Sequence, residues 1–573
     1  MTSQTTLFGD DSVTPRRRTP PKPQKPSAAK SAASKKRATA RPSTSKKAAR
    51  RTKGSTAAHE MAKQAREISV SEFFAKNRHL LGFDSKRKAL LTTVKEAVDN
   101  ALDACEEANI LPDLAVLVKP MPKHPDRFQV TVSDNGPGIL EEQIEQVFAQ
   151  LLYGSKFHRL RQSRGQQGIG ISAAGMYGQM TTGIPTLIRS RISKKHDAIE
   201  IGVRIDTAKN RPVRTKHNII EWDRAHGTEV TIVLEGSYSK GRGSVDEYLA
   251  QTAISNPHIS IAYYPPDSKE TVLYERGTRK LPVPPVEIKP HPYGVELGVL
   301  MKMMKATSSS KLGAFLQKDF SRVSAKTAKE ICAEAKLDAG ARVRSLEHKA
   351  AESLHGAIPR VKIRNPSTNC LSPIGEELIQ KGLEKEIGEA EFFVSRTRPP
   401  AVYRGNPFQV EVGVALGGSL NADNTVRVMR YANRVPLQYA PGGCAITKSV
   451  TSVDWKSYGL QQPRGSLPVG PVILMVHIAS AWVPFTSESK EAVASYPDIL
   501  KELRLALQEC GRKMQRYLRR RKRVEDELKK RQYIDKYIPH IGEALRDILT
   551  LNEKQTDKVV AELRDTLERS RKM

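Results

Sequence analysis

Apolar and polar positions along this chain change period several times, and each period predicts an element. Residues 86–108 hold few helix breakers, and Val94, Val98 and Leu102 recur at the spacing of one helical face, so a long helix is predicted there. A Ser-containing helix start precedes it at residues 70–74. Phe128, Val130 and Val132 alternate with polar residues as in a half-buried strand, which ends on the turn sequence Asp134-Asn135-Gly136-Pro137-Gly138. A glycine-rich loop at residues 165–170 leads into a small-residue helix over 171–179, and strand-like residues continue through 228–234. Together these predict an α/β sandwich. From about 290 to 360 the spacing of Leu297, Leu300, Met301, Met304, Leu312, Phe315 and Leu316 suits short helices. Residues 399–416, 426–435 and 472–476 are again strand-like and mark a second α/β domain. A helix without proline then runs over 498–531, Pro539 closes that region, and Leu545, Ile548, Leu549, Val559, Val560, Leu563 and Leu567 predict terminal helices able to dock on another chain.

Composition changes this picture in three ways. A chain of 573 residues exceeds one hydrophobic core and implies roughly three or four domains. The formal net charge of +32 points to a polyanionic partner, with nucleic acid foremost. Part of that charge lies in residues 12–58, where Arg16, Arg17, Arg18, Lys35, Lys36, Arg37, Lys46, Lys47, Arg50 and Arg51 stand among Pro, Ala, Ser and Thr, a mixture that cannot pack. Loose phosphate contact is the expected role of this tail; a solvated linker and a transit peptide are the alternatives. No secretory leader follows the first methionine, and the longest apolar stretch, interrupted at His477, is too short to cross ~30 Å of hydrocarbon. Five scattered cysteines without a C-x-x-C pair suit a reducing compartment and give no zinc site, so any metal must use oxygen ligands.

Three segments carry candidate chemistry. On the helix over 86–108, Glu96, Asn100 and Asp103 fall at i, i+4 and i+7 and share one face, with small Ala97, Ala101 and Ala104 beside them to admit a ligand. The same pattern also describes an amphipathic helix with a solvated acidic face. Asp134 stands at a strand end beside glycines and could accept from an adenine amino group; Asp-Asn-Gly alone is a turn signal. In Gly165-Gln166-Gln167-Gly168-Ile169-Gly170-Ile171-Ser172 the glycines let main-chain N–H groups meet phosphate at a helix N-terminus. The loop is not a Walker loop, since no Gly-Lys-Ser/Thr follows, and it lacks the later acidic residue of a dinucleotide site.

These three segments, in this order, resemble the N-box and two glycine boxes of the GHKL ATPases. The resemblance implies Glu96 as the general base, Asn100 as the Mg²⁺ ligand, Asp134 as the adenine contact and Asp103 as a supporting residue. Ser155 and Lys156, with the run from Gly165 to Ser172, would form a mobile lid over the phosphates of ATP. Further matches over about residues 65–530 are similar to the B-subunit family of topoisomerase VI. The glycine box continues through Ala173-Ala174 into Gln179-Met180-Thr181-Thr182-Gly183, and Tyr431-Ala432-Asn433-Arg434-Val435-Pro436-Leu437 looks like the family's transducer. Pro484-Phe485-Thr486-Ser487-Glu488-Ser489-Lys490-Glu491-Ala492 is similar to the transducer loop whose lysine reaches the γ-phosphate, which makes Lys490 the expected nucleotide sensor.

What the resemblance implies is a Bergerat-type α/β ATPase sandwich, a small helix-two-turns-helix insert, and an α/β transducer with a long stalk helix. The expected boundaries are a basic tail at 1–64, the ATPase domain at 65–288, the helical insert at 289–362 and the transducer at 363–500. A basic stalk at 501–535 and terminal helices at 536–573, which would dock on the family's A subunit, complete the chain. The implied function is the ATP-hydrolysing component of a type IIB DNA topoisomerase. Two copies would close on ATP within an A2B2 assembly and pass double-stranded DNA through a break made by the A subunit, in the cytoplasm and at the nucleoid. Trp455, Lys456 and Tyr458, like Lys240 and Arg242 in the Lys-Gly-Arg-Gly segment, are candidate DNA contacts, with a buried anchoring Trp as the alternative at 455.

Other GHKL classes fit less well. A gyrase B chain would carry an Asp-x-Asp metal pattern that this sequence lacks, and His59 and His79 have no setting of a phospho-accepting histidine. A MutL-like repair protein and a non-hydrolysing ATP-dependent clamp are the remaining alternatives, and Glu96 argues against the second.

Overall fold

The computed structural model describes residues 61, 72, 74, 76–154, 159–165, 168–206, 209–388 and 390–569. Helix α1 (Lys86–Glu107) begins where the extended Ser85 accepts the Lys88 N–H on its hydroxyl, a cap that satisfies one of the helix's orphan donors. Leu90, Val94, Val98 and Leu102, each at most 1% exposed, press the helix onto an eight-stranded sheet. The strands are β1 (Asp113–Met121), β2 (His124–Ser133), β3 (Thr186–Arg191), β4 (Ala198–Asp206), β5 (Arg211–Ile220), β6 (Gly227–Glu235), β7 (Ser260–Tyr264) and β8 (Val272–Tyr274). Their spatial order is β5-β4-β3-β6-β2-β1-β7-β8, and only the β1–β7 pair is parallel. In β2 the alternation is the expected one: Phe128, Val130 and Val132 are buried while Gln129 and Thr131 are not. Helices α2 (Glu141–Ala149), α3 (Gly170–Thr182) and α4 (Val245–Ser255) pack in contact with α1 or with one another, which makes the first region a two-layer α/β sandwich.

Four short helices follow, α5 (Leu297–Ala306), α6 (Leu312–Asp319), α7 (Ala325–Glu334) and α8 (His348–Ala357). They close on a core of their own that includes Leu300, Phe315, Leu316, Ile331 and Leu354.

The second sheet holds β9 (Phe392–Thr397), β10 (Ala401–Tyr403), β11 (Asn406–Leu416), β12 (Arg427–Ala432), β13 (Val435–Pro436) and β14 (Val472–Ser480), in the order β10-β11-β14-β12-β13 with β9 also on β11. Every residue of β14 is buried, because helices cover both faces. Ile473 and Met475 meet α9 (Glu376–Glu386), whereas Leu474, Val476 and Ile478 share a core with Leu503 and Leu507 of the long helix α11 (Pro497–Leu549) and with α10 (Ala445–Ser452).

Beyond Met514 the side chains of α11 are mostly exposed, and the helix does not stop near residue 535 as the sequence led us to expect. It passes through Pro539 and ends at Leu549, where Thr550 turns back with φ +51° into α12 (Glu553–Arg569). Proline removes one N–H and one helical bond, but Pro539 is exposed, so water can serve the freed carbonyl. Buried Ile538 and Gly542 hold the helix on either side, Gly542 so close to Val560 of α12 that a Cβ would stand 2.4 Å from its Cγ2. Among the described residues no helix is long and apolar enough to cross a membrane.

Candidate active site

The polar edge of α1 forms one wall of a cleft of about 500 Å³. Glu96 and Asn100 face into it from successive turns, and Asp134 faces them from the end of β2. Strand pairing sets Asp134 in place: its N–H donates to Thr228 O at the start of β6, and its carboxylate accepts the Gly136 and Thr228 N–H groups at 2.8 and 3.1 Å. Burial pushes the Asp134 carboxyl up to about 6, against the opposing pull of those two N–H groups. It is therefore a carboxylate in an apolar pocket with room for a further hydrogen-bond donor. Asp103, the third residue of the predicted face, does not line this cleft and belongs to the junction described below.

The glycine-rich run supplies the opposite wall. Gly165, Gly168, Ile169, Gly170 and Ile171 line the cleft, and α3 begins there. The first helical bond at this end runs from Ala173 N–H to Ile169 O, so the N–H groups of Gly170, Ile171 and Ser172 have no intrahelical acceptor and form an anion-ready terminus. Glycine at 170 leaves room for the Glu96 carboxylate: a Cβ there would stand 1.9 Å from Glu96 Oε2 and displace it. Gly168 adopts φ +58°, which other residues rarely take. The Ser172 side chain departs from the cleft-facing role expected of it. It is 1% exposed, does not line the cleft, and donates to Ile169 O at 3.2 Å, leaving its main chain as its contribution. Ser155, Lys156, Gln166 and Gln167 lie outside the described residues.

Lys490 reaches this cleft from the second sheet. The Phe485–Val493 bridge and the Thr486 N–H bond to Ala492 O close a tight loop, in which Lys490 takes φ +52°. Its ammonium is buried, 3.8 Å from Glu96 Oε1 and donating to Arg164 O at 3.4 Å. The structure thus brings Glu96, Asn100, Asp134, the start of α3 and Lys490 into one space.

A buried junction at the C-terminal end of α1 went unread in the sequence. Arg164 donates through Nη1 to Asp103 Oδ1 and Glu106 Oε2, each at 2.9 Å, and through Nη2 to Glu106 Oε1 at 2.6 Å and Asn256 Oδ1 at 2.5 Å. His258 Nε2 adds a contact of 2.7 Å to Glu106. Burial alone would raise the Glu106 carboxyl, but Arg164 and His258 hold it well below the usual range. One residue earlier, Ser163 O accepts Asn433 Nδ2 at 2.9 Å, while Asn433 Oδ1 accepts the Ser480 N–H at 2.8 Å. The next residue, Arg434, donates its N–H to His477 Nε2, so His477 carries its proton on Nδ1 and donates it to Glu411. A continuous set of buried bonds therefore joins α1 and the 159–165 segment to the second sheet.

The candidate DNA contacts lie away from the cleft. Lys240 and Arg242 are exposed, with Lys240 paired to Asp267 at 3.0 Å. Trp455 corrects the expectation of a stacking residue. It is 0% exposed, donates through Nε1 to Val450 O at 2.8 Å and anchors the core of the second sheet, which is the alternative that its sequence also allowed. Tyr458 is half-buried against Gly511 of α11, and Lys456 alone of the three is well exposed.

Comparison with known proteins adds relatives to this geometry. Residues 366–530 match the family described as topoisomerase VI B subunit, transducer, and residues 85–237 match the histidine kinase-, DNA gyrase B- and HSP90-like ATPase family. The B subunit of type 2 DNA topoisomerase 6 from Methanococcoides burtonii is 50% identical over 511 residues, covering 89% of this chain and 82% of its own length. Proteins of the same name from Archaeoglobus fulgidus and Pyrococcus horikoshii are 46% and 38% identical, over 88% and 86% of this chain and 83% and 93% of their own lengths.

Proposed function

The chain belongs to the B-subunit family of type 2 DNA topoisomerase 6, and from that premise we propose that the cleft hydrolyses ATP with Glu96 as general base and Lys490 as sensor of the γ-phosphate. It is the ATPase component of a type II DNA topoisomerase, whose partners are DNA and the enzyme's A subunit. The observation that carries the mechanistic reading is the approach of Lys490 to Glu96 at 3.8 Å from a different sheet, inside a cleft that also holds Asp134 and a helix N-terminus.

Each side chain has a task that follows from its position. Asp134 accepts the adenine amino group. The N–H groups at the start of α3, which no carbonyl of the helix accepts, and the glycines before it bind phosphate oxygens without the obstruction of side chains. Magnesium suits the donors available: Asn100 offers one hard amide oxygen beside the phosphate space, and Mg²⁺ takes few protein ligands alongside phosphate oxygens and water. When bound, the ion would neutralise charge on the β- and γ-phosphate oxygens. Glu96 takes a proton from the attacking water as its oxygen bonds the γ-phosphorus and the bond to the ADP oxygen breaks. Lys490 contacts the γ-phosphate before cleavage and loses that partner afterwards, which links hydrolysis to the position of the second sheet.

On this reading residues 65–288 are the ATPase domain, 289–362 the helix-two-turns-helix domain and 363–500 the transducer. The stalk is the helix α11, basic over 501–535 and continuous to Leu549, and its last turns and α12 meet the A subunit. Two copies of this chain close on ATP in an A2B2 assembly in the cytoplasm, at the nucleoid, and a duplex passes through the break that the A subunit makes. Lys240, Arg242 and Lys456, together with the basic tail at 1–64, contribute phosphate contacts that weaken with salt.

The test is ATP hydrolysis by the full chain and by Glu96→Ala and Lys490→Ala, with and without supercoiled DNA and the A subunit. Loss of hydrolysis in Glu96→Ala, with strand passage only when the A subunit is added, is the expected result. Undiminished hydrolysis in Glu96→Ala overturns the catalytic assignment, and DNA binding without partner-dependent passage turns the reading toward a MutL-like clamp.

A further inference from the structure

We propose that α1 carries a second functional strip, Lys88, Thr92 and Lys95, which holds the loop around Lys490 in place, and that Lys95 is a positioning residue for Lys490. The inference rests on the reading of Lys490 as the γ-phosphate sensor. Positions 88, 92 and 95 share one helical face, immediately beside the face that carries Glu96 and Asn100. Each end of this strip grips a residue next to Lys490. The Lys95 ammonium donates to Ser489 O at 3.5 Å, and Lys88 forms an ion pair with Glu491. Between them the Thr92 hydroxyl donates to Gly82 O at 3.0 Å, and Gly82 lies between Thr92 and Ser489, so that a Cβ added there would stand 3.0 Å from Thr92 Oγ1 and 3.5 Å from Ser489 Cβ.

Lys95 stands among opposed charges: it is 9% exposed, its amine donates to a main-chain carbonyl, and Glu96, Asp99 and Glu491 attract it while Lys490 repels it. Asp99, one turn further along, is bonded to Tyr248 Oη at 3.0 Å through Oδ1, while its Oδ2 is buried without a partner. With the Ser489 carbonyl held by Lys95, the neighbouring Lys490 side chain is set toward Glu96, whose Oε1 stands 3.8 Å away. Glu96 and the sensor loop are thus set by neighbouring residues of one helix, and a shift of α1 moves both together.

The experiment is steady-state ATP hydrolysis by the full chain carrying Lys95→Met, Lys490→Met or both, together with Lys88→Glu, Glu491→Lys and the charge-swapped pair. Lys95→Met is expected to lower kcat about tenfold and to change KM for ATP by less than about twofold. Added to Lys490→Met, it is expected to cause no further loss, since there is then no sensor to position. Lys88→Glu lowers kcat and the swapped pair recovers it, a rescue that loss of packing alone does not produce. A wild-type kcat in Lys95→Met, or an equal additional loss in the Lys490→Met background, overturns the proposal; if Lys95→Met does not fold, failure of the charge swap to recover kcat does so. Wild-type hydrolysis in Lys490→Met alone instead overturns the sensor reading on which it rests.

Discussion

The cleft and the junction meet the same helix and treat their acids in opposite ways. In the cleft, Asp134 has only main-chain donors, and burial pushes its carboxyl up to about 6. At the junction, Glu106 meets a guanidinium and an imidazole and is held low despite its burial. A group left short of partners in a cavity is available to a ligand, whereas a group bonded on several sides is available only to the fold. The difference separates the part of α1 that does chemistry from the part that transmits its position to the second sheet.

That division yields substitutions with opposite signatures. Glu96→Gln keeps the shape of the cleft and removes the base, so hydrolysis should fall by roughly 10² to 10⁴ fold while the melting temperature stays as in the parent chain. Arg164→Leu should act the other way, removing the buried guanidinium that bonds Asp103 and Glu106 and destabilising the first region by about 3–5 kcal/mol, seen as an early transition in thermal unfolding. Gly170→Ala tests the boundary. Its Cβ would occupy the place of Glu96 Oε2, so Glu96 must turn away, and a loss of about 10² fold in kcat with little change in stability is expected. A large fall in stability from Glu96→Gln, or a neutral Arg164→Leu, would break the division.

The cleft was far more legible in the sequence than the junction, and periodicity explains most of the difference. Glu96 and Asn100 announce themselves because four residues make about one turn, and Asp134 because a strand pattern ends on a glycine turn. Lys490 has no such signature, since a lysine in a polar loop looks like any other and its place was legible only through family resemblance. Arg164, Glu106 and His258 come from three separate elements, and nothing local to any of them indicates the others. The Trp455 to Tyr458 segment shows the limit from the other side: alternating aromatic and polar residues suit a stacking surface and a buried anchor equally, and only the partner of Nε1 decides between them. Pro539 misled for a related reason, because what carries α11 past it is contact with α12, and tertiary contact overrides a local breaker.

The smallest effect offers the finest test, because it sets the sign of one acid against the other. The folded-state pKa of Asp134 is raised from 3.8 to about 6, so the folded chain binds a proton more readily than the unfolded chain, and this group adds stability as pH falls from about 6 toward 3.8. Glu106, with its folded pKa lowered from 4.5, contributes stability above that pH and loses it as pH falls further. Between pH 7 and 5, then, the cleft acid takes up its proton while the junction acid remains ionised. If adenine is bound by the Asp134 carboxylate, ADP affinity should weaken by up to about tenfold over that interval, since one pH unit below its pKa roughly one carboxyl in eleven is ionised. The phosphates of ADP titrate in the same range, so the comparison is with Asp134→Asn, which should bind ADP less tightly at pH 7 and retain only the phosphate-dependent part of the pH profile. Identical profiles for the two proteins would mean that Asp134 does not receive the adenine, however well the rest of the cleft is assigned.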